Sequence, residues 1–359
     1  MPTELSFPTP SGTLPSRPIH LAPDRTRHQN MLSRVAESIY WMARYVERAE
    51  SIARFIDVNI TLNLDHARDG LEQWEPLVRT TGDDELFAER YGAPNRSAVI
   101  QFLAFDHEYP SSLVSSLRLA RENARTVREA IPSEVWEELN EFYLFVRGAK
   151  LQGDAVEGLA DFFQQVKQRS HLYNGVLDAT MSRGEGWHFA NLGRQLERTD
   201  KTSRLIDVKY FTLLKNVFDV NTTIDDLQWS ALLRSVSGFE MYRKRFHAIT
   251  IPRVAEFLIQ DPLFPRSMQF CLDQANLSLQ AIIQHGRPRA ENLAATLLAE
   301  LRTHLAELSI QAVIDRGMHE FIDDFQKRLN RVGGAIFKTY FDRTLLDGLR
   351  QQQQQQTPL

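Results

Sequence analysis

The stretch LSRVAESIYWMARYVERAESIARFIDVNI, residues 32–60, decides the fold. Ile39, Met42, Val46, Ala49, Ala53 and Ile56 recur at three- and four-residue spacing and fall on one face of an α-helix. Glu37, Tyr40, Arg44, Glu47, Arg48 and Ser51 gather within about 100° of arc on the opposite face. The same period continues along the chain and predicts helices over about 96–106, 111–130, 134–149, 154–177, 186–217, 224–245, 253–260, 267–286, 289–330 with a break near Gly317, and 334–348. Ser111 after Pro110 reads as a helix start, and Thr222 with Asp225, or Thr223 with Asp226, fits a capping box. Prolines are absent from Ser133 through Ile251, strand-like alternation is rare, and the DG pairs Asp69-Gly70 and Asp347-Gly348 border helical patterns. The expected fold is all-α: a single large helical bundle over residues 31–348.

Six of the 15 prolines lie in the first 25 residues, within a polar stretch that has too little apolar material to offset its ordering entropy. Residues 1–30 are therefore expected to form a disordered tail, as is the glutamine-rich end, residues 349–359. The chain has 359 residues, 43% of them hydrophobic, enough for a large core without disulfides or metal. Its 42 Lys+Arg against 46 Asp+Glu argue against a broad footprint for nucleic acid or an anionic membrane. The lone Cys271, set in an apolar stretch, excludes a disulfide framework and reads as a small buried hydrophobe. No apolar run reaches the roughly 18 residues of a membrane span, and the first thirty residues lack the core of a signal peptide. A cytoplasmic protein is expected.

The informative feature is a repeat. Residues 44–58, RYVERAESIARFIDV, and 194–208, RQLERTDKTSRLIDV, are separated by 150 positions. Arg44, Glu47, Arg48, Arg54, Ile56, Asp57 and Val58 meet Arg194, Glu197, Arg198, Arg204, Ile206, Asp207 and Val208. Duplication, or convergence on one structural role, accounts for it, and it predicts an internal two-fold repeat of an Arg-x-x-Glu-Arg helix. Within each helix Glu47 is placed to bridge Arg44 three residues back and Ser51 four ahead. In the second copy Trp187, Arg194, Glu197, Arg198 and Lys201 share a face. The bland alternative is a solvated face laced with weak ion pairs. Arginine itself is uninformative, because the chain holds 34 Arg and 8 Lys. The retained order of both copies, with large apolar neighbours, favours partial burial of the two motifs. Glu47 and Glu197 are then the candidates for proton transfer, and Arg44, Arg48, Arg54, Arg194, Arg198 and Arg204 for binding a carboxylate or phosphate. A third stripe, Arg121, Arg125 and Arg128, lies in LRLARENARTVRE, residues 117–129.

These blocks, with MSRGEGWHFANLGRQLERTDKTSRLIDVKY, WSALLRSVSGFEMY and DPLFPRSMQFCL, resemble the bacterial alpha-E family, an all-helical family named for its Glu-Arg motif. The resemblance covers about residues 31–345 and makes residues 1–30 an addition to the pattern. It maps the motif onto Glu47-Arg48 and Glu197-Arg198. The ARENAR block adds Arg121, Asn123 and Arg125, and the later blocks add Arg183, Trp187, Arg234, Tyr242 and Arg266. It implies the company of circularly permuted ATP-grasp ligases, transglutaminase-like proteins and sometimes a proteasome-like peptidase. The first expectation is thus a helical accessory protein of an ATP-grasp-type peptide ligase or peptide-modification system. The alternatives are an enzyme or anion receptor built on an Arg/Glu cluster, and an oligomeric scaffold.

Glu47-x-x-Glu50 and Glu197-x-x-Asp200 faintly resemble di-iron carboxylate helices, but those need Glu-x-x-His, and the arginines on the same turns would repel a dication. The ten histidines show no HExxH spacing, and GxGxxG, GxxxxGK[ST] and GxSxG are missing. No metal and no cofactor is expected. Arg266 beside a helix start at Ser267 offers either an anion site or a plain capped turn.

Overall fold

The structure is a computed structural model that describes residues 31–66, 74–79, 81–149, 156–214, 223–285 and 292–342. The expected tails at 1–30 and 349–359, the capping box opening at Thr222 and both DG pairs lie outside the described residues. The described chain is all-α. Two long helices organise it: α1, Ser33–His66, and α8, Glu185–Leu214. Between them come α2 (Glu75–Arg79), α3 (Asp84–Tyr91), α4 (Arg96–Ile100), α5 (Leu113–Thr126), α6 (Ser133–Gly148) and α7 (Val156–Thr180). After them come α9 (Thr223–Ser235), α10 (Phe239–Arg245), α11 (Ile251–Gln260), α12 (Met268–His285), α13 (Leu293–Ala306), α14 (Ile310–Arg316) and α15 (Met318–Ile336), which runs into a π-helical turn at Phe337–Phe341.

Helix α1 packs on α5, α7, α8 and α9, and α8 packs on α1, α12 and α15. Both are therefore enclosed, and α1 is not a surface helix with one wet face. Ile39, Met42 and Ile56 are fully buried on one side, and Tyr40, Glu47, Glu50, Ser51 and Arg54 are buried on the other. The two helices run parallel. Met31 N meets Glu185, Arg44 and Arg48 meet Glu197, and Arg198 meets Glu47, all at sequence separations between 149 and 154. A constant difference, rather than a constant sum, of residue numbers is the signature of parallel neighbours. Gly193 makes the close approach possible: a Cβ there would sit 2.4 Å from the Tyr40 carbonyl oxygen. Glycine in mid-helix costs about 0.5–1 kcal/mol relative to alanine, which this contact explains.

Element boundaries depart from the sequence pattern where side chains, not period, set the breaks. The expected helix 224–245 is two helices. Ser237 adopts a left-handed φ of 53°, and Gly238 N–H donates to Leu233 O at 2.7 Å, closing α9 with a six-residue cap. Gly238 is buried where a Cβ would meet Phe264 at 2.8 Å. The expected 289–330 breaks not only at Gly317 but also at Glu307–Ser309, where Ser309 caps α14 through Ala312 N–H. The cap of α5 is Ser112, one residue beyond the expected Ser111. The five-residue α2 and the eight-residue α3 are too short to show a period and were not anticipated. Cys271 is fully buried, as its setting predicts, and burial pushes its thiol up to about 12.

Candidate functional site

The parallel register sets the two Glu-Arg pairs against each other. Arg48 donates from Nε to Glu197 Oε1 at 2.7 Å and from Nη2 to Oε2 at 3.1 Å. Arg198 answers from Nε and Nη2 to Glu47 Oε1 and Oε2, at 2.9 and 2.7 Å. Each is a two-pronged guanidinium–carboxylate pair. Glu47 is 1% exposed and Glu197 0%. The bridge from Glu47 to Arg44 within α1 does not form. Arg44 reaches across instead, donating from Nε to Glu197 Oε2 at 2.8 Å and from Nη1 to the Tyr40 hydroxyl at 3.1 Å. With the neighbouring helix closer than the next turn, cross-helix pairs win over pairs three residues apart.

Around this centre lie groups that the sequence reading placed only partly. Arg266, from the loop between α11 and α12, donates Nη1 to Glu47 Oε1 at 2.8 Å and pairs through Nη2 with Glu50. Glu50 also accepts from Arg54 Nε and from the Ser170 hydroxyl. Arg54 continues through Nη1 to the Ser237 hydroxyl at 2.6 Å, and His171 stands 3.3 Å from Glu50. Beyond Glu197, Asp200 takes Arg204 Nε at 3.1 Å and Lys201 Nζ at 3.0 Å. Arg194 turns away from Glu47 to Asn174 and Asn191, at 3.0 and 2.8 Å. Arg44 and Arg194, equivalent in the sequence repeat, thus have different partners. Seven cations (Arg44, Arg48, Arg54, Arg198, Lys201, Arg204, Arg266) pair with four carboxylates (Glu47, Glu50, Glu197, Asp200).

Burial alone would raise these carboxyls. Arg48, Arg44 and Lys201 outweigh it at Glu197 and hold that group well below the usual carboxylate range. Arg266, the His171 hydrogen bond and Arg54 do the same for Glu50, and Lys201 and Arg204 lower Asp200. The surplus of positive charge falls on the arginines with least compensation. Burial and Arg198 lower Arg194, and burial and Arg266 lower Arg54. Glu197 is held as an anion by the three cations around it. Glu50, Lys201, Ser170 and His171 belong to the cluster and were not among the expected site residues. Only their spacing along α1, α7 and α8 relative to the register could have shown them.

The remaining candidates lie elsewhere. Arg121 donates to Asn140 and Glu122 and sits over the Trp136 and Tyr143 rings. Arg125 is 59% exposed and pairs with Glu122, and the Asn123 amide caps the Leu119 carbonyl. The ARENAR block therefore forms an outer face of α5, stacked on α6. Arg183 lies 4.0 Å over Trp187, and both bond Asp178 outside the cluster. Arg234 stacks on Phe239. Tyr242 is core, its hydroxyl donating to Ala248 O. Glu37 forms no ion pair among the described residues. Ser267 accepts from Phe270 N–H, the capped turn that was one of the two readings of DPLFPRS, while Arg266 is spent on Glu47 and Glu50. Among the described residues no group of three or more His, Cys, Asp or Glu is arranged to hold a metal ion, and no helix is long and apolar enough to cross a membrane.

The family described as a predicted alpha-helical domain with a conserved ER motif, Alpha-E, matches residues 31–341. The chain belongs to the Alpha-E family. The Glu47-Arg48 and Glu197-Arg198 pairs, onto which the sequence resemblance maps that motif, are residues that cross-link α1 and α8. An uncharacterised protein of Mycobacterium bovis is 25% identical over 299 residues, covering 77% of this chain and 33% of its own length. Two uncharacterised proteins of Mycobacterium tuberculosis match over the same span at 25% and 24% identity. This Alpha-E chain spans about a third of the length of these relatives. No solved structure matches it.

Proposed function

We propose that this Alpha-E chain is a cytoplasmic helical partner module of an ATP-grasp-type peptide ligase or peptide-modification system, supplying a rigid docking body rather than the chemical step. The observation that carries this reading is the closure of the ER motif on itself. Both motif glutamates accept fixed guanidiniums from the facing helix, so the motif clamps α1 to α8 and presents neither carboxylate as a reactive group. The length relation supports it, since the matching segment occupies a third of longer mycobacterial chains. A tagged chain drawn from native lysate and analysed by mass spectrometry is expected to bring down an ATP-grasp protein, alone or with a transglutaminase-like protein. Recovery without any ligase, together with turnover by the isolated chain, overturns the proposal.

The surplus of cations favours a second reading, an anion receptor. Guanidiniums held in a largely dry setting bind carboxylate or phosphate strongly. Arg48→Gln with Arg198→Gln should abolish stabilisation by such an anion while the helices persist; loss of the fold instead marks a purely structural clamp.

A further inference from the structure

A cavity of about 360 Å³ opens where α1 and α8 meet the end of α15, within the size range of small-molecule sites. It opens on the edge of the Arg/Glu cluster and shares Arg44 and Asp200 with it. Arg44 stands at its base, its guanidinium 4.8 Å from the Trp41 ring and 5.6 Å from the Tyr40 ring. Glu197 takes Nε and Nη2 and the Tyr40 hydroxyl takes Nη1, which leaves one N–H on each terminal nitrogen for a ligand. The walls are aromatic: Trp41, Tyr40 and Phe341, with Phe337 46% exposed at the rim.

The third wall is the unusual one. Gly333 and Gly334 lie inside α15, where glycine weakens a helix. At Gly193 a neighbouring backbone explains the missing side chain; at Gly333 and Gly334 a Cβ would meet nothing within 4 Å. Within the described residues the pair serves no packing purpose. Both line the cavity and keep its floor bare. The helix then widens into the π-turn Phe337–Phe341, a distortion often found at functional sites. Asn330, also on this wall, has an exposed side chain with no hydrogen bond among the described residues. Asp200 is the lining carboxylate, and Lys201 and Arg204 already neutralise it. The local field is cationic, with Arg44, Arg48, Lys201 and Arg204 around Glu197 and Asp200.

We infer that this cavity binds a carboxylate carried on an aromatic or large apolar body, with the carboxylate on Arg44, the apolar body between Trp41 and Phe337, and its backbone against the Gly333-Gly334 floor. A free acid and a peptide C-terminus share this chemistry. The inference deepens the anion-receptor reading and rests on it.

Titration calorimetry on the full chain tests it with four probes: N-acetyl-L-phenylalanine, its C-terminal amide, a tripeptide ending in phenylalanine, and acetate. The acid should bind at least tenfold more tightly than the amide and than acetate. Binding by the tripeptide assigns a peptide end, and binding by the acid alone assigns a free acid. Gly333→Leu should weaken the acid tenfold or more without lowering the melting temperature, which separates an occluded cavity from a damaged fold. If acetate binds as well as the acid, the anion-receptor reading survives and the cavity assignment falls. If no probe binds, the cavity assignment falls, and inorganic phosphate titrated in the same way decides the anion-receptor reading: binding keeps it and no binding ends it. Unchanged affinity in Gly333→Leu also overturns the assignment.

Discussion

Glutamine at position 197 keeps the shape of the side chain and removes one charge from the middle of the clamp. Glu197 is fully buried and meets Arg44 Nε at 2.8 Å, Arg48 Nε at 2.7 Å, Arg48 Nη2 at 3.1 Å and Lys201 Nζ at 3.6 Å. A glutamine amide offers one oxygen to this set and turns an NH2 group toward a guanidinium, donor against donor. Asp200 is then the nearest carboxylate to three cations, and it is already engaged. Removing one partner of a buried pair costs about 3–5 kcal/mol, because a charge is left without compensation. Arg44, Arg48 and Lys201 keep 19%, 16% and 20% of their side-chain exposure, so some water screens them. The expected loss for Glu197→Gln is therefore at the lower end, about 3 kcal/mol. Urea unfolding at pH 7 measures it, provided the slope against denaturant is unchanged. Glu122→Gln is the control: its pairs with Arg121 and Arg125 are exposed, and its loss should stay below about 1 kcal/mol. If Glu197→Gln also costs less than about 1 kcal/mol, the pairs are solvent-screened and the clamp is not what holds α1 to α8.

Two glycines should respond with opposite sign. Gly193→Ala drives a Cβ into the Tyr40 carbonyl and should cost about 1–3 kcal/mol or more, whereas Gly333→Ala, with open space around it, should stabilise by about 0.5–1 kcal/mol; thermal melts of both variants decide. Acid should weaken the protein through Glu197, Glu50 and Asp200. Their folded-state values are depressed, so their contribution is full above the unfolded carboxyl range of about 4 and is lost as pH falls through and below it. Urea titrations from pH 7 to pH 3 should show this decline, with a shallower one in Glu197→Gln; a flat profile contradicts it. Arg266→Gln should release the loop between α11 and α12 from Glu47 and Glu50, seen as faster hydrogen exchange at residues 262–267 with α1 still protected.

The fold class was legible because α1 and α8 carry strong periods and the chain between Ser133 and Ile251 carries no proline. What the period could not show is that α1 is packed by neighbours on most of its circumference, its charged face included. A surface helix and a central helix with a buried ionic face share the same alternation of apolar and charged residues, and only the packing partners distinguish them. The two segments that match at an offset of 150 lie on helices that pack together, with contacts at separations of 149 to 154, while the unlike partners of Arg44 and Arg194 depart from a two-fold repeat. Three-residue spacing within a helix carries no information about a carboxylate on the neighbouring helix, and Arg44 bonds Glu197 instead of Glu47. The link of Arg266 and Glu50 to the motif was illegible for a related reason. Arg266 lies 219 positions from Glu47, and no local rule joins a loop cation to a carboxylate that distant. Ser237 shows the limit at backbone level, since its left-handed turn falls at a residue with no propensity for it.

Why the motif consists of two adjacent residues follows from the parallel register. In the register of α1 on α8, position 47 meets 198 and position 48 meets 197, at separations of 151 and 149. Glutamate followed directly by arginine then satisfies both crossings at once, Glu47 with Arg198 and Arg48 with Glu197. Sliding α8 by one position along α1 moves it about 1.5 Å and turns its side chains by about 100°, which breaks both crossings together. The network is thus a better determinant of register than of net stability, because buried ion pairs recover little beyond their desolvation cost while misaligned ones lose heavily. The crossings are also not interchangeable. Glu197 carries Arg44 as its additional cation, and Glu47 carries Arg266 from a loop on the far side. Swapping Glu47 and Arg198 would keep that crossing but set an arginine against Arg266, so each copy of the motif is tied to its own third partner. That asymmetry leaves Arg44, and not Arg194, at the base of the α15 cavity.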